Sequence, residues 1–138
     1  MRHFTIEELC KSDVAARRGI DNTPSAEVAA NLQALVDNIL DPLRDMWGGP
    51  VTVTSGFRCV ALNRAVGGAV SSQHMKGEAA DITVGSREAN MRLFKLIKSM
   101  KLPFDQLIFE KGNRAVGPDW VHVSFSRSRR RGQVVYVS

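Results

Sequence analysis

Two segments of the chain place hydrophobic residues at three- and four-residue intervals, the pattern of a helix with one apolar face. The apolar positions of the first are Val28, Leu32, Leu35, Val36 and Ile39. We expect this helix to begin at Thr23-Pro24, where a capping hydroxyl precedes a proline. Pro42 has no amide hydrogen to donate, so it predicts a kink or a restart. The second helix is expected over residues 86–100. Its apolar positions are Met91, Phe94 and Ile97.

Shorter segments are rich in branched and aromatic residues or alternate apolar with polar positions, as half-buried strands do. They cover residues 51–54, 79–84, 106–110, 120–125 and 134–137. We expect the last strand to form a hairpin with the one before it. Residues 62–69 are small or turn-forming and predict an irregular segment. Together these elements predict an α+β fold of one domain, residues 1–138, with two main helices on one face of a small, mainly antiparallel sheet.

The length and composition are those of a single globular domain. At 138 residues the chain can bury one core, and 43% of its residues are hydrophobic and 24% charged. No apolar run approaches the roughly 20 residues that span a bilayer, and the first residues lack the apolar stretch of a signal peptide. We therefore expect a protein without a membrane span that is synthesised in the cytoplasm. We also expect it to be a monomer.

The net charge of +5 attracts anionic partners such as nucleic acid, a membrane surface or a cell-wall polymer. Much of the excess comes from Arg127, Arg129, Arg130 and Arg131. This arginine cluster fits a solvated turn better than a dedicated binding patch. Aromatic residues make up 7% of the chain and do not alternate with the cluster, so nucleic acid is not an expected partner.

Two of the three histidines lie in segments that offer metal ligands. His74 precedes Asp81 by seven positions, and His122 lies in the alternating segment at 120–125. Zinc accepts imidazole nitrogen and carboxylate oxygen, and a catalytic zinc keeps three protein ligands and one position for water. His74, Asp81 and His122 supply that number. Both cysteines are expected to be free thiols; Cys59 is a conceivable further ligand, but the set is complete without it.

The general base has two candidates. Asp119 lies three residues before His122, and Glu110 lies at the end of the strand predicted at 106–110. Glu110 stands beside a turn, which favours a surface role. An ideal strand would place Asp119 opposite His122, so a catalytic role for Asp119 requires residues 117–119 to bend at the entrance of the strand.

These motifs resemble the zinc D-alanyl-D-alanine peptidase family, which includes cell-wall carboxypeptidases, D,D-dipeptidases, phage L-alanyl-D-glutamate endolysins and the zinc fold of Hedgehog signalling domains. The Ser-x-His-x-x-Gly-x-Ala-x-Asp motif of the family matches at Ser72, His74, Gly77, Ala79 and Asp81. Its acidic-x-x-His motif matches at Asp119 and His122, and Arg58 falls where the family carries a substrate-contacting arginine. The resemblance covers about residues 51–125.

The resemblance implies a zinc metallopeptidase that hydrolyses peptidoglycan stem peptides at a bond involving a D-amino acid. The expected type is a D,D-carboxypeptidase or an L-alanyl-D-glutamate endopeptidase, and the small size and basic charge suit a phage or prophage endolysin-like wall hydrolase. Zinc is expected on the sheet face opposite the helices.

The resemblance also implies roles for single residues. Asp119 would be the base, Arg58 would contact the substrate and hold the developing oxyanion, and Ser72 would help to bind a substrate carboxylate. The residues alone would assign Arg58 to a surface salt bridge. The alternative function is a non-catalytic binding or structural module that contains zinc and has the same fold.

Overall fold

The computed structural model describes all of residues 1–138. Its α-helices are α1 (Ile6–Cys10), α2 (Asp13–Arg18), α3 (Ala26–Leu35), α4 (Asp41–Trp47), α5 (Val60–Ala65) and α6 (Arg87–Met100). Its strands are β1 (Thr52–Ser55), β2 (Ala79–Thr83), β3 (Gln106–Glu110), β4 (Trp120–Ser124) and β5 (Gln133–Val137). A π-helical segment, Val36–Leu40, joins α3 to α4, and a 3-10 turn, Gln73–Lys76, precedes β2. None of the helices has the length and apolarity that crossing a membrane requires.

The two predicted main helices are present, and the start of the first one is corrected. The first main helix begins at Ala26, two residues after the expected start, because the Ser25 hydroxyl accepts the Val28 amide hydrogen and caps the helix there. The predicted restart at Pro42 is confirmed, since the π-helical segment ends one residue before α4 and the proline occupies the first turn of α4. Residues 62–69 are not irregular throughout, because α5 extends to Ala65.

The α+β class is confirmed by a five-stranded sheet with the strand order β1-β2-β4-β3-β5. The pairs β1–β2, β2–β4 and β3–β4 are antiparallel. Alternate residues of the three central strands are buried, namely Ala80, Ile82, Leu107, Phe109, Val121 and Val123. They belong to a cluster of 21 buried residues that also includes Leu32, Leu43 and Phe94 of the helices. This cluster is the hydrophobic core.

Strand β5 does not form the expected hairpin with β4. It pairs in parallel with β3, with Leu107 opposite Val134 and Phe109 opposite Tyr136. A hairpin is excluded because β2 and β3 already occupy both edges of β4. The segment 125–132 therefore has to pass the end of β3, and we call it the crossover loop.

A buried carboxylate fixes the crossover loop to the sheet. The Asp105 side chain is fully buried, and its two oxygens accept hydrogen bonds from Arg131 Nε at 2.8 Å and Arg131 Nη2 at 3.0 Å. The Arg131 amide also donates to Asp105 Oδ1. The hydrogen bonds from Arg131 outweigh the opposing effect of burial and hold the pKa of Asp105 below its usual range. Part of the arginine cluster is thus bound to a structural acid and is not merely solvated.

Replacement of Asp105 tests this anchor through its pH dependence. Because the pKa of Asp105 is lowered on folding, its stabilisation is complete above the unfolded-state pKa of about 3.9 and is lost as the pH falls through the lower folded-state value. We expect Asp105→Asn to lower the midpoint of thermal unfolding by about 3 to 8 °C at pH 7, and the difference from wild type to shrink towards pH 2. Circular dichroism melts across this range measure it. Asp13→Asn, the same charge change at an exposed position, is the control; a penalty for Asp105→Asn that stayed constant with pH would contradict the assignment.

Candidate metal centre

The structure brings His74, Asp81 and His122 together. Ligand atoms of the three side chains all lie within 4.8 Å of one another. Asp81 Oδ1 is 3.4 Å from His74 Nε2 and 3.0 Å from His122 Nδ1. Four ligands in a tetrahedron around zinc, each about 2.0–2.1 Å from it, are about 3.3 Å apart. The nitrogen–oxygen distances in this group therefore fit a tetrahedral ion.

Two strands of the sheet position Asp81 and His122. These residues are direct partners in the antiparallel pair β2–β4, so their side chains project from the same face. Both side chains are largely buried, with 14% and 12% exposed. Burial alone would raise the pKa of Asp81, but its interactions with the imidazoles of His122 and His74 outweigh burial and hold this pKa well below its usual range. Asp81 is therefore an ionised carboxylate, as a metal ligand must be.

His74 comes from outside the sheet and is oriented by a backbone carbonyl. It lies in the 3-10 turn, which Ser72 caps by accepting the His74 amide hydrogen and which ends at Gly77 with φ of +74°. The carbonyl oxygen of Gly56 is 2.7 Å from His74 Nδ1 and can only accept, so Nδ1 carries the proton. Nε2 then presents its lone pair towards Asp81, the arrangement that second-shell partners impose on metal-binding histidines.

Two glycines near His74, Gly56 and Gly77, have no room for a side chain. An added Cβ at Gly77 would lie 2.7 Å from the Val28 carbonyl oxygen, and one at Gly56 would lie 2.1 Å from the Leu9 carbonyl oxygen. Phe57 donates its amide hydrogen to the same Leu9 oxygen. The peptide that orients His74 is therefore packed directly on the end of α1.

The group of potential ligands contains three residues and does not include Cys59. Both cysteines are free thiols, as predicted. The Cys59 sulfur instead accepts the Leu62 amide hydrogen at 3.4 Å and caps α5. Two imidazoles and one carboxylate form a donor set typical of a catalytic zinc.

A cavity of about 650 Å³ opens onto this group, and we call it the metal cavity. Arg58 and Ser72 both line it, with Arg58 Nη2 3.5 Å from Ser72 Oγ. Arg58 Nε and Trp120 Nε1 are buried in its walls and have no hydrogen-bond partner in the chain. The structure thus places Arg58 and Ser72 beside the three potential ligands.

Asp119 does not reach the metal cavity. Its carboxylate accepts a hydrogen bond from Arg87 Nε at 2.8 Å at the start of α6, and its side chain is 38% exposed. Asn90 of α6 donates to the carbonyl oxygens of Pro118 and Asp119 and holds the backbone against the helix. The bend that would have turned Asp119 towards the metal is absent, so its expected role as the base has to be corrected.

Glu110 occupies the position that was expected for Asp119. Ile108 pairs with His122 and Glu110 with Trp120, so alternation along β3 puts Glu110 on the same face as His122. Glu110 lines the metal cavity. Burial, and secondly the negative charge of Asp81, raise the pKa of Glu110 above its usual value. The alternation of residues along β3 was the sequence signal that could have placed Glu110 at the site, whereas the turn after the strand suggested a surface position.

Comparison with known proteins agrees with this geometry. The sequence model of the peptidase M15 family matches residues 2–124. The chain is also similar to a protein named zinc D-Ala-D-Ala carboxypeptidase from Streptomyces albus G, with 37% identity over 87 residues, or 62% of this chain. The aligned segment spans only 32% of that relative. The resemblance to the zinc D-alanyl-D-alanine peptidase family is confirmed.

Metal binding can be measured directly. We expect one Zn²⁺ per chain, and we expect His74→Ala and His122→Ala each to weaken binding by more than about 100-fold, because each removes one of three donors. Competition with a chromogenic chelator gives the affinity, and elemental analysis gives the stoichiometry. His3→Ala is the matched control, since His3 bonds to Asp45 and is not part of the group. Equal losses in all three variants, or no zinc in the wild type, would refute the site.

Proposed function

Because the chain belongs to the peptidase M15 family, we propose that it is a zinc-dependent peptidase that hydrolyses stem peptides of peptidoglycan at a bond involving a D-amino acid. The observation that carries this proposal is the convergence of His74, Asp81 and His122 on a cavity that also contains the carboxylate of Glu110. The name of the Streptomyces relative supports zinc as the metal and D-amino acids in the substrate.

The three potential ligands would hold the zinc ion through His74 Nε2, Asp81 Oδ1 and His122 Nδ1, the atoms that converge. When bound, zinc supplies Lewis-acid polarisation of the scissile carbonyl and makes water a better nucleophile at neutral pH. His74 keeps its orientation by donating Nδ1–H to Gly56, and Asp81 supplies the negative charge that offsets part of the charge of the cation.

Glu110 would act as the general base and then as the general acid. Its carboxylate takes a proton from the attacking water and returns it to the amine that leaves. Because the pKa of Glu110 is raised, it lies closer to neutral pH than that of an ordinary glutamate. A carboxyl group with such a pKa can both accept and donate a proton during the reaction. Proton transfer by a positioned side chain contributes about 10²- to 10⁴-fold to a rate.

Arg58 and Ser72 would bind the substrate. The Arg58 guanidinium is charged at any working pH and lies in the wall of the metal cavity, where it can stabilise a developing oxyanion or hold a carboxylate. The Ser72 oxygen accepts from the His74 amide and from Arg58, so its own hydroxyl hydrogen remains to be donated to the substrate.

A non-catalytic zinc module of this fold is less consistent with the site. Asp119 no longer argues for catalysis, because it is paired with Arg87. Glu110 supports catalysis instead, since a metal site with a purely structural role does not need a half-buried carboxylate beside the ligands.

The finer form of the proposal is an endopeptidase of the endolysin type that acts as a monomer. A second cavity of about 550 Å³ shares Arg58 and Val66 with the metal cavity, and a third of about 450 Å³ shares Ser71, Gln73 and Arg129 with it. Cavities beside two different walls of the metal cavity offer room for a peptide that extends both ways from the scissile bond, which suits a bond within a chain better than one at its end. The net charge of +5 favours encounter with an anionic wall. Mass spectrometry of muropeptides after digestion distinguishes an endopeptidase from a carboxypeptidase. Internal cleavage supports the endopeptidase, and release of a single terminal residue contradicts it.

Two isosteric substitutions decide which acid acts. We expect Glu110→Gln to lower kcat on a purified stem peptide by about 10²- to 10⁴-fold with unchanged zinc content, because the proton acceptor is lost while the ligands stay. Asp119→Asn removes only an exposed ion pair and should change kcat by less than about three-fold.

The reverse result would restore Asp119 as the base and contradict the role of Glu110. Full wall clearing by both variants, each with zinc bound, would mean that neither acid takes part in hydrolysis.

A further inference from the structure

A third, entirely polar cavity lies beside the metal cavity. This polar cavity has a volume of about 450 Å³ and no hydrophobic residue in its lining. Ser71, Gln73 and Arg129 line both cavities, and we call this shared boundary the neck. All three side chains carry hydrogen-bond donors. A peptide that crosses the neck would therefore meet polar groups on its way from the metal centre.

Arg129 contributes to the neck a guanidinium whose hydrogen-bond donors have no partner in the chain. Its Nε is 3.7 Å from Asp105 Oδ2, which is too far for a hydrogen bond. Arg131 already binds both Asp105 oxygens through a two-point contact, so the Asp105 charge is matched by Arg131. The Arg129 side chain is 59% exposed and makes no side-chain hydrogen bond within the chain. Its guanidinium donors are therefore available to a ligand.

The crossover loop holds Arg129 in place without using its guanidinium. The Arg129 amide donates to Ser126, and Arg131, two positions along, is bound to the buried Asp105. Arg130 also bonds to the carbonyl oxygens of Ser126 and Arg127. The backbone around Arg129 is thus tied down on both sides, which lowers the entropy lost when Arg129 binds a partner.

The charges that surround the neck favour an anion. The metal cavity is lined by four basic side chains, Arg58, Lys111, Arg129 and Arg131, and two acidic ones, Asp81 and Glu110. In the polar cavity, Lys76 and Arg129 oppose one acid, Glu78. Basic groups exceed acidic ones in both cavities before any metal cation is added. A carboxylate matches this field and the planar fork of an arginine.

We propose that Arg129 is a specificity-determining residue that binds an internal carboxylate of the substrate at the neck, such as the free α-carboxylate of a γ-linked D-glutamyl residue in a stem peptide. This inference rests on the proposed peptidase function and adds a substrate requirement to it. Arg58 lies on the wall that the metal cavity shares with the cavity of about 550 Å³, whereas Arg129 lies on the wall that it shares with the polar cavity. Substrates whose D-glutamyl carboxylate is converted to an amide would bind less well.

The test compares two synthetic stem peptides of the same sequence, L-Ala-γ-D-Glu-L-Lys-D-Ala-D-Ala, one with the D-glutamyl α-carboxylate free and one with this group as a primary amide. With the zinc-loaded wild type we expect kcat/KM to be about ten-fold higher for the acid, mainly through KM, because a charge-assisted hydrogen bond at a half-exposed site is lost in the amide. Arg129→Gln should reduce this preference to about unity. Arg129→Lys, which keeps the charge but not the fork, should retain part of it.

Arg127→Gln is the matched control. It removes the same charge from the same loop, but Arg127 bonds to Asn31 and lines neither cavity. The ten-fold preference should persist in this variant. A preference that fell equally in Arg127→Gln would show a general effect of charge and would overturn the specific role of Arg129.

Binding measured by calorimetry separates this inference from the proposed function. Zinc-loaded Glu110→Gln should bind the acid about ten-fold more tightly than the amide, and the double variant with Arg129→Gln should bind the two equally. Tighter binding of the acid without cleavage of either peptide by the wild type would contradict the peptidase proposal alone. Equal binding of both peptides by Glu110→Gln, or a preference that survives in the double variant, would overturn the role of Arg129.

Discussion

The pairing register of β2 and β4 is the constraint on which the metal centre depends. It places Asp81 directly opposite His122, and the carboxylate and the imidazole meet at 3.0 Å on a shared face. Because side chains alternate along a strand, a slip of one residue would turn either group towards the helices and leave it in the hydrophobic core. The alternate residues Ala80, Ile82, Val121 and Val123 are buried in that core, so the packing that stabilises the fold also fixes the two ligands. The same alternation along β3 brings Glu110 to the site.

Two buried aspartates, Asp81 and Asp105, have different roles in shaping the cavities. Both have lowered pKa values because interactions with neighbouring side chains, the imidazoles around Asp81 and Arg131 beside Asp105, outweigh the cost of burial. Asp81 lies among imidazoles and can take up a cation, whereas Asp105 is matched by Arg131 and fixes the crossover loop. The loop then carries Arg129 to the rim of the cavity. A structural ion pair at one end of β3 therefore sets the position of a potential binding group near the metal centre.

The sequence predicted the features that local periodicity and short spacing determine. The two main helices and the five strands belong to this class. The convergence of His74, Asp81 and His122 was expected from their donor chemistry and from the family motifs, and it depends on the pairing of β2 with β4. Strand alternation alone would have placed Asp119 opposite His122, but its partners Arg87 and Asn90 could not be predicted, because they approach residues 117–119 only when α6 packs against β4. The partner of β5 likewise depends on which strand edges remain free once β2, β3 and β4 have paired. Both corrections concern contacts between distant parts of the chain.

The contact between Gly56 and Leu9 connects the N-terminal helices to a metal centre whose residues lie far from them in the sequence. The Leu9 carbonyl leaves no room for a side chain at Gly56, whose own oxygen accepts a hydrogen bond from the His74 ring. Asn22 bonds to the backbone of Cys10, Phe57 and Cys59 and so connects the end of α1 to the same stretch. The N-terminal residues thus support the peptide that orients His74. A shortened chain that started at β1 would retain every signature residue, yet it would lose the surface that keeps one imidazole aligned, so the smallest working unit is larger than the part that carries the motifs.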